Sequence, residues 1–379
     1  MTVTATGRAT GAGQPVPDAP PVPLSALKAR VDHELETFAR RETALLEAVD
    51  PELKPFGEQL RAIVGHGKRL RAAFCYWGWR AAGRADGDDV VRAAAGVELV
   101  HAAAVVHDDL IDRSALRHRV PTAHRALAPP RNHLTRGTGR GATGRALALL
   151  AGDLLISWSG QLFTDCGLPS AYLNRARPLW ATLARELVAG ECLEVLRSGP
   201  GPAAPADPDG SLKIVRYKTA KYTVEHPLHI GALLGGAPPA LREVFSAYGV
   251  PLGEAFQLRD DLLGVFGTPD STGKSNLDDL SGAKPTVLLA LMRRAATDAE
   301  QRQIQALLSR REETGPEDLD RFRAIAERTG ARHGVEALIT ARAAAATDAL
   351  AAGERAGLLP AHAAEALHHL ARHCLTRAS

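Results

Sequence analysis

Hydrophobic side chains recur at every third or fourth position along most of the chain, which is the spacing of one face of an α-helix. The pattern predicts long helices over residues 25–49, 88–113, 145–163, 171–196 and 240–266, another helix starting at 214, and a helical C-terminal region up to residue 379. No stretch alternates convincingly with the period of two expected for a strand, and no internal repeat is found. The sequence therefore predicts an all-α protein.

Proline and glycine residues predict where these helices end or bend. Pro51 should end the first helix, and Pro178 and Pro227 should kink the helices that contain them. The glycine and proline at 249–251 predict a break within the 240–266 helix, and residues 353–360 predict one in the C-terminal region.

Some stretches lack helical periodicity altogether. Residues 1–23 consist mainly of Gly, Pro, Ala and Thr, so we expect a disordered N-terminal tail. The remainder, 24–379, is expected to form a single all-α domain. Two further stretches, near 129–145 and 198–210, are rich in Gly and Pro and are expected to be flexible loops.

The composition agrees with helix packing and narrows the function. Hydrophobic residues make up 45% of the 379 positions and aromatic residues only 4%, so the core must be mostly Ala, Leu and Val. A net charge of +3 is too small to indicate nucleic acid as a partner. The four cysteines lack a C-x-x-C spacing, and we find no run of 18 apolar residues and no N-terminal signal core. These features favour a cytoplasmic protein without stable membrane insertion.

Carboxylates on the 88–113 helix give the strongest chemical signal. Asp108 and Asp112 are four residues apart and therefore lie on one face, which continues back to His101. Like charges at this spacing repel each other, more strongly where apolar neighbours exclude water. A bound cation would relieve the repulsion, whereas a solvated acidic helix end is the alternative interpretation of this motif alone.

A second acidic face is predicted on the 240–266 helix. Gln257, Asp260 and Asp261 share it at spacings of three and four residues. Two carboxylate faces opposed in a bundle and close to basic residues predict a site for a polyphosphate bound through Mg²⁺, because Mg²⁺ is commonly held by one or two carboxylates plus substrate phosphates. No Walker A motif is present, so a P-loop nucleotide site is disfavoured.

Basic residues accompany both acidic faces. Lys68 and Arg71 follow a glycine-rich turn and are predicted to lie in the first turn of the next helix, near amides that favour an anion. The loop at 267–284 contributes Lys274 and Lys284 after the second acidic face. Each signal alone is weak, because basic surface residues at a helix start are common.

Together these motifs, from about residue 60 to 290, resemble the trans-isoprenyl diphosphate synthase (polyprenyl synthetase) family. They occur in family order as G-K-R-L-R at 67–71, D-D-x-x-D at 108–112, L-R at 116–117 with P-T at 121–122, K-T at 218–219, F-Q-L-R-D-D at 256–261, and lysine-bearing stretches at 272–274 and 282–284. The resemblance implies a single large bundle around a deep apolar cavity, usually assembled as a homodimer.

The resemblance also implies roles for individual residues. Asp108 and Asp112 would hold Mg²⁺ on an allylic diphosphate from one side, and Asp260 would hold it from the other. The cations and polar groups expected to neutralise or orient that diphosphate are Arg117, Lys218, Thr219, Gln257, Lys274 and Lys284. The residues expected to bind isopentenyl diphosphate are Lys68, Arg71 and His101. The implied reaction is ionisation of the allylic substrate, attack by isopentenyl diphosphate and loss of a proton.

Three positions depart from the family pattern. His118 stands where a second arginine is usual, and Arg119 stands where glycine is common. A neutral imidazole would weaken one contact with isopentenyl diphosphate unless Arg119 substitutes for it. The second motif ends in Gly264 instead of an aspartate, which leaves fewer carboxylates on that side.

The helix that carries Asp108 also bears on product length. The growing tail is expected to run over Ala104, Ala103 and Val100, and short-chain relatives often block this path with an aromatic residue four or five positions before the first aspartate. Both of those positions are alanine here, so we predict a product longer than farnesyl diphosphate, with geranylgeranyl diphosphate preferred. Alternatively, Trp158 on the 145–163 helix limits the length of the tail, or it is simply a residue of the hydrophobic core.

Other functions remain as alternatives. A longer-chain polyprenyl diphosphate synthase would use the same motifs, and a non-catalytic subunit of a heteromeric synthase would fit the changes at His118 and Gly264. A class I terpene cyclase shares the first aspartate motif, but the N-D-x-x-S-x-x-x-E motif of cyclases is absent and aromatic residues are few.

Overall fold

The computed structural model of the protein is helical almost throughout. It describes residues 22–117, 119–129, 139–198, 207–267, 283–309 and 315–376. The helices up to the first long loop are α1 (Leu24–Val49), α2 (Lys54–Val64), α3 (Leu70–Ala81), α4 (Asp88–Ile111) and the short α5 (Ala123–Ala126), with a 3₁₀ turn at Pro51–Leu53. The next helices are α6 (Arg140–Thr164), α7 (Ser170–Arg197), α8 (Pro208–Ile214), a π-helix (Val215–Glu225), α9 (His226–Gly235) and α10 (Pro239–Phe266). The C-terminal helices are α11 (Val287–Ala295), α12 (Asp298–Ser309), α13 (Pro316–Arg328), α14 (Ala331–Arg355) and α15 (Ala361–Leu375).

Two apolar clusters form the core. The larger one joins α1–α4, α6, α7, α9, α15 and the N-terminal part of α10, and the smaller one joins the C-terminal half of α10 to α11–α14. Because α10 contributes to both clusters, it connects the two parts of the bundle. The all-α fold predicted from the periodicity is confirmed.

Glycines allow the central helices to approach each other closely. A Cβ on Gly231 of α9 would lie 1.8 Å from the carbonyl oxygen of Cys75 in α3, and a Cβ on Gly78 of α3 would lie 2.1 Å from the carbonyl oxygen of Leu228. Neither position can accept a side chain without separating the helices. This close contact fixes α3, which carries Arg71, against α9, which follows the π-helix.

Helix boundaries differ from the predictions where capping or packing outweighs composition. α6 already begins at Arg140, so the loop predicted at 129–145 is shorter at its C-terminal end. α8 begins at Pro208, because Asp207 accepts a hydrogen bond from the Gly210 N–H and caps the helix, so the loop predicted at 198–210 also ends early. The rest of both loops and nearly all of the predicted tail lie outside the described residues.

The predicted break at 249–251 is wrong, because α10 runs without interruption past Pro251. Gly253 explains the continuity: a Cβ there would lie 2.4 Å from the Cα of Ala220, so the backbones of α10 and the π-helix are in direct contact. This packing offsets the hydrogen bond that a proline removes from a helix interior. Pro227 lies in the first turn of α9, where the π-helix passes directly into the α-helix, and the kink predicted there stays a prediction. Pro178 lies inside α7 as expected.

The expectation of no strands is also wrong in one place. Leu116–Arg117 and Val120–Pro121 form a two-residue antiparallel hairpin directly after α4. Arg119 in its turn has φ 66°, a left-handed conformation that glycine adopts at lower cost, which explains why a glycine suits this position. His118 lies outside the described residues.

Two helices are long and apolar enough to cross a membrane by length and composition alone. They are α4, with 67% of its apolar window buried, and α6, with 44%. The burial of α4 is that of a core helix, whereas α6 leaves apolar side chains exposed on its outer side.

Candidate functional site

Three carboxylates and one lysine form the centre of the candidate site. Oxygen atoms of Asp108 on α4 and of Glu191 and Glu194 on α7 lie within 4.8 Å of one another. The Nζ atom of Lys218, from the π-helix, is 2.8 Å from Asp108 Oδ1, 2.5 Å from Glu194 Oε1 and 2.9 Å from Glu191 Oε2. The ammonium group therefore bridges all three acids.

A glycine makes this arrangement possible. Gly190 faces the π-helix so closely that a Cβ would lie 2.3 Å from the backbone nitrogen of Lys218. The close approach brings Glu191 and Glu194, on the next turn of α7, within reach of Lys218. π-helical segments with i→i+5 hydrogen bonds are rare and often occur at functional sites.

The charges of the cluster support one another. Burial alone would raise the pKa of Asp108, but Lys284, Lys218 and Arg117 outweigh it and hold this pKa well below its ordinary value. Burial would lower the pKa of Lys218, but Glu194, Asp108 and Glu191 outweigh it and hold this pKa above its ordinary value. Both groups are therefore charged at neutral pH. Burial raises the pKa of Glu191, which has two acids as neighbours.

Arg117 lies in the hairpin and is anchored to α4 by two of its carboxylates. Its Nε and Nη2 atoms donate to Asp109, at 2.9 and 2.7 Å from Oδ1, and Nη2 also donates to Asp108 Oδ2 at 3.2 Å. The loop that delivers it is held by a hydrogen bond from Thr122 Oγ1 to the carbonyl oxygen of Ser114 at 2.7 Å. Arg117 thus points its guanidinium group at the first acidic face.

Lys284 completes the ring of cations around this face. Its Nζ atom lies 2.6 Å from Asp112 Oδ2 and 3.8 Å from Glu194 Oε1. Burial raises the pKa of Asp112 despite the lysine beside it. Of the two predicted loop lysines, Lys284 is therefore at the site, and Lys274 lies outside the described residues.

A second polar group surrounds Tyr222 of the π-helix. Arg71 Nη2 donates to the Tyr222 hydroxyl at 2.8 Å and to Thr223 Oγ1 at 2.9 Å, and its guanidinium carbon lies 4.6 Å from the centroid of the Tyr222 ring. His101 Nδ1 is 3.2 Å from the same hydroxyl. Burial and the positive charge of Arg71 lower the pKa of His101, so the imidazole is neutral at pH 7. The predicted partners Arg71 and His101 are thus brought together through a tyrosine.

Lys68 differs from its predicted position. α3 begins at Leu70, after Arg69 adopts a left-handed conformation with φ 56°, so Lys68 precedes the helix and is exposed. The reason is Arg69, whose buried guanidinium donates to Asp32 at 2.7 Å and turns the chain before the helix starts.

The second acidic face lies on α10, which packs against the π-helix. Gln257 Nε2 donates to Asp261 Oδ1 at 2.7 Å, so this side chain is oriented by its own helix. Asp260 is partly buried, Gly264 is buried, and Thr219 is 8% exposed on the neighbouring π-helix. The roles of Asp260, Gln257 and Thr219 remain predictions.

The residues predicted to govern product length differ in exposure. Ala103 is 1% exposed and Val100 is 7% exposed, whereas Ala104 is only half buried. Trp158 is buried and packs edge-to-face on Phe38 of α1, with ring centroids 5.8 Å apart. Ala104 is therefore the position of the predicted wall that can change size with least damage to the core.

Several site residues were missed in the sequence. They are Glu191, Glu194, Tyr222 and Glu98, which accepts a hydrogen bond from the Ala72 N–H at 2.8 Å and caps α3. Asp109 was included in the D-D-x-x-D motif but was given no role of its own, and it holds Arg117. Glu191 and Glu194 carried a usable signal, since two acids three residues apart follow a glycine in the middle of a long helix.

Comparison with known proteins agrees with this geometry. The polyprenyl synthetase family model matches residues 54–325. The chain is 34% identical over 264 residues to the (2E,6E)-farnesyl diphosphate synthase of Mycobacterium tuberculosis, covering 67% of each protein. It is 30% identical to the geranylfarnesyl diphosphate synthase of Aeropyrum pernix over 73% of this chain and 80% of the relative.

Solved structures give the same result. A geranylgeranyl pyrophosphate synthase from Corynebacterium glutamicum, complexed with isoprenyl diphosphate and magnesium, superimposes with a TM-score of 0.86 at 31% identity, covering 94% of this chain and all (100%) of the other. A polyprenyl synthase from Caulobacter crescentus, complexed with calcium and isoprenyl diphosphate, gives 0.73 at 29% identity over 93% and 96% of the two chains. The chain therefore belongs to the polyprenyl synthetase family and is a trans-prenyltransferase.

Proposed function

We propose that the enzyme condenses isopentenyl diphosphate with an allylic diphosphate to give a trans-polyprenyl diphosphate, with geranylgeranyl diphosphate as its product. The observation that carries the proposal is the cluster of Asp108, Glu191 and Glu194 bridged by Lys218 and flanked by Arg117. Such a cluster combines carboxylates that can bind a divalent cation with cationic side chains that can bind a diphosphate.

The acids fit Mg²⁺ as the cofactor. Oxygen donors are the ligands that Mg²⁺ prefers. Among the described residues, Glu191 Oε1 is buried without a hydrogen-bond partner and so has lone pairs left for a cation. Asp108, Asp112 and Asp260 would hold the metal, with Glu191 and Glu194 beside Asp108. Bound Mg²⁺ would stabilise the negative charge of a departing diphosphate.

The cations account for binding of the allylic diphosphate. Arg117 and Lys284 are held next to the acids by ion pairs and have N–H groups left that can donate to phosphate oxygens. Lys218, whose ammonium contacts three carboxylates, would turn to the diphosphate once Mg²⁺ neutralises those acids. Thr219, Gln257 and Lys274 are proposed to complete this diphosphate site. Electrostatic stabilisation of the leaving group is the main catalytic contribution expected from these side chains.

Arg71, His101 and Lys68 are proposed to bind isopentenyl diphosphate. Among the described residues, Arg71 Nε is buried and has no hydrogen-bond partner, so it can donate to a phosphate oxygen. Tyr222 holds Arg71 and neutral His101 in position. A neutral imidazole next to Arg71 avoids repulsion between two cations.

The proposal is tested by assaying the protein alone with Mg²⁺, radiolabelled isopentenyl diphosphate and dimethylallyl, geranyl or farnesyl diphosphate as primer. We expect chromatography to give geranylgeranyl diphosphate from each primer. Longer products would favour a long-chain synthase, an end at farnesyl diphosphate would refute the predicted chain length, and no condensation without an added protein would favour a non-catalytic subunit.

Ala104→Phe is expected to shorten the product by at least one isoprene unit, because a phenyl ring on the half-buried face of α4 would fill the path of the tail. The products are compared by chromatography at equal turnover. Ala344→Phe, on the exposed face of α14, should leave the product unchanged. An unaltered product from Ala104→Phe would show that the wall lies elsewhere, with Trp158 as the next candidate.

We also propose that the protein is a cytoplasmic homodimer. No disulfide forms among the described cysteines, which agrees with a reducing compartment. The support for a dimer is the outer apolar face, defined by exposed side chains on α6 and α7: Leu149, Leu150, Ile156, Val188, Val195 and Leu196. Leu196 alone is 81% exposed, and a concentration of such residues is typical of a protein–protein interface.

Val188→Glu combined with Val195→Glu should convert the dimer into a monomer, since the interface would have to bury charges without partners. Light scattering coupled to size-exclusion chromatography measures the mass. Val49→Glu, at a position 77% exposed at the end of α1, serves as the matched control and should not change the mass. A dimer that survives both glutamates would place the interface on another surface.

A further inference from the structure

We propose that the enzyme has a second binding site for a prenyl diphosphate, in a groove between α7 and the segment formed by α8 and the π-helix. This inference rests on the proposed function, since it assigns to the groove the class of molecule that the reaction makes. The groove has a volume of about 350 Å³, within the range of roughly 300–1,000 Å³ usual for small-molecule sites.

The groove is separate from the reaction site. Its α7 wall is a stripe at four-residue spacing, Ala189, Leu193 and Arg197, and its opposite wall includes Lys213 and Tyr217. Glu191 and Glu194 lie on another face of α7, directed at Lys218. A ligand in the groove would therefore leave the carboxylate cluster untouched.

One end of the groove carries two cations suited to a diphosphate. Arg197 lies beside α8, because a Cβ on Gly210 would be 2.7 Å from its Nη1 atom, and Lys213 follows one turn later on α8. Neither side chain is ion-paired with a carboxylate in the part of the chain that the structure describes. Asp207 lies nearby, but its Oδ1 atom accepts the Gly210 N–H at 3.0 Å.

The middle of the groove is apolar. Ala189, Leu193 and the ring of Tyr217 form its floor, and none of them offers the paired donors and acceptors that would recognise a nucleotide base. Glu186 at the far end is already engaged, with Nζ of Lys221 at 2.9 Å and Nε2 of His226 at 2.9 Å. An anion with a hydrocarbon tail fits this lining better than a polar metabolite does.

The length of the groove agrees with a prenyl chain. From Arg197 back to Arg185 the α7 wall spans 12 residues, or about 18 Å of helix. At roughly one isoprene unit per helical turn of about 5.4 Å, and with one turn taken by the diphosphate, this wall accommodates two to three units. The diphosphate would lie at Arg197 and Lys213, and the tail would extend over Leu193 and Ala189 toward Arg185.

Metal-free conditions remove the Mg²⁺-dependent site from the titration, because without Mg²⁺ its carboxylates repel a diphosphate. The titration is made with an Arg71→Gln chain, so that the proposed isopentenyl diphosphate site does not bind the ligand either. We expect titration calorimetry of the full chain in EDTA with farnesyl S-thiolodiphosphate, which resists ionisation, to show one equivalent bound per chain. Arg197→Gln combined with Lys213→Gln should weaken this binding at least about tenfold, since two charge-assisted contacts are lost. Arg177→Gln, an exposed arginine elsewhere on α7, is the matched control and should bind as the unaltered chain does.

Inorganic diphosphate, titrated in parallel, tests the apolar floor. The proposal requires it to bind more weakly than the prenyl analogue, and equal affinity would refute the prenyl chain as part of the ligand. No metal-free binding, or binding unaffected by the double substitution, would refute the groove as a site. The condensation assay with Mg²⁺ separates the two proposals: turnover without groove binding refutes only the groove, and groove binding without turnover refutes only the proposed reaction.

Discussion

Asp108→Asn is expected to lower the rate of condensation about 10³-fold, because the substitution removes a charge from the acids that would hold Mg²⁺ and from the partner of Lys218. Asparagine keeps the shape of the side chain and one oxygen, so the helix and its packing should be preserved. The loss should therefore lie in turnover more than in folding. The pKa of Asp108 is held below its ordinary value, so the unaltered carboxylate is charged at any pH used for the assay.

The measurement is the initial rate with Mg²⁺, isopentenyl diphosphate and an allylic primer, at saturating concentrations of each. Asp153→Asn makes the same chemical change on α6, where the side chain is 62% exposed, and should retain full activity. Thermal denaturation of both variants checks that the bundle is intact. A rate within threefold of the unaltered enzyme would contradict the assignment of Asp108 to the reaction site.

Lys218→Met should destabilise the Mg²⁺-free protein by about 2–3 kcal/mol, since removal of the ammonium leaves Asp108, Glu191 and Glu194 facing one another in a largely buried site. Mg²⁺ should restore part of this stability by supplying the missing positive charge, while activity stays low because a diphosphate ligand is gone. The lysine is thus expected to act both as a structural cation and as a substrate ligand.

The effect of pH on Lys218→Met follows from the carboxylates. In the unaltered chain the pKa of Asp108 is lower in the folded state than in the unfolded state. Ionised Asp108 therefore stabilises the fold at any pH above its ordinary pKa, and this stabilisation is lost as the pH falls through the pKa of the folded state. In the variant the pKa values of the clustered acids should rise, so its stability should decrease as the pH rises. The difference between the two proteins is therefore expected to be larger at pH 8 than at pH 5.5.

Denaturation in EDTA and in Mg²⁺ measures these differences. Lys54→Met, an exposed lysine at the start of α2, is the control and should change stability by no more than about 0.5 kcal/mol. Equal stability of Lys218→Met and the unaltered chain in EDTA would show that the three acids do not depend on this lysine.

Local spacing was enough to predict part of this site. Asp108 and Asp112 lie on one turn of one helix, so their common face follows from helix geometry alone. Lys218 was predicted only through the family resemblance, and Lys284 only as one of two lysines in a loop after the second acidic face. The sequence gives no distance between a lysine and an acid 110 or 172 residues away. The long helices were predicted well for the same local reason.

What depends on packing between helices was not predicted. Glu191 and Glu194 belong to the site only because Gly190 lets α7 touch the π-helix, and Tyr222 meets Arg71 across 151 positions of sequence. The uninterrupted course of α10 past Pro251 has the same origin, since contacts with another helix outweigh a local breaking signal. Because Asp207 caps α8, this helix begins at Pro208, earlier than the composition of the preceding loop had indicated.

The π-helix from Val215 to Glu225 has a consequence for how such enzymes can diverge. It carries Lys218 and Tyr222, each bound to groups on different helices. Deleting one residue would favour ordinary i→i+4 bonding and rotate everything downstream by about 100° relative to what precedes it. The contacts of Lys218 and those of Tyr222 could then no longer form in the same structure. Insertions and deletions in this segment should therefore be purged during evolution, and new substrate preferences must arise by exchanging side chains at constant length.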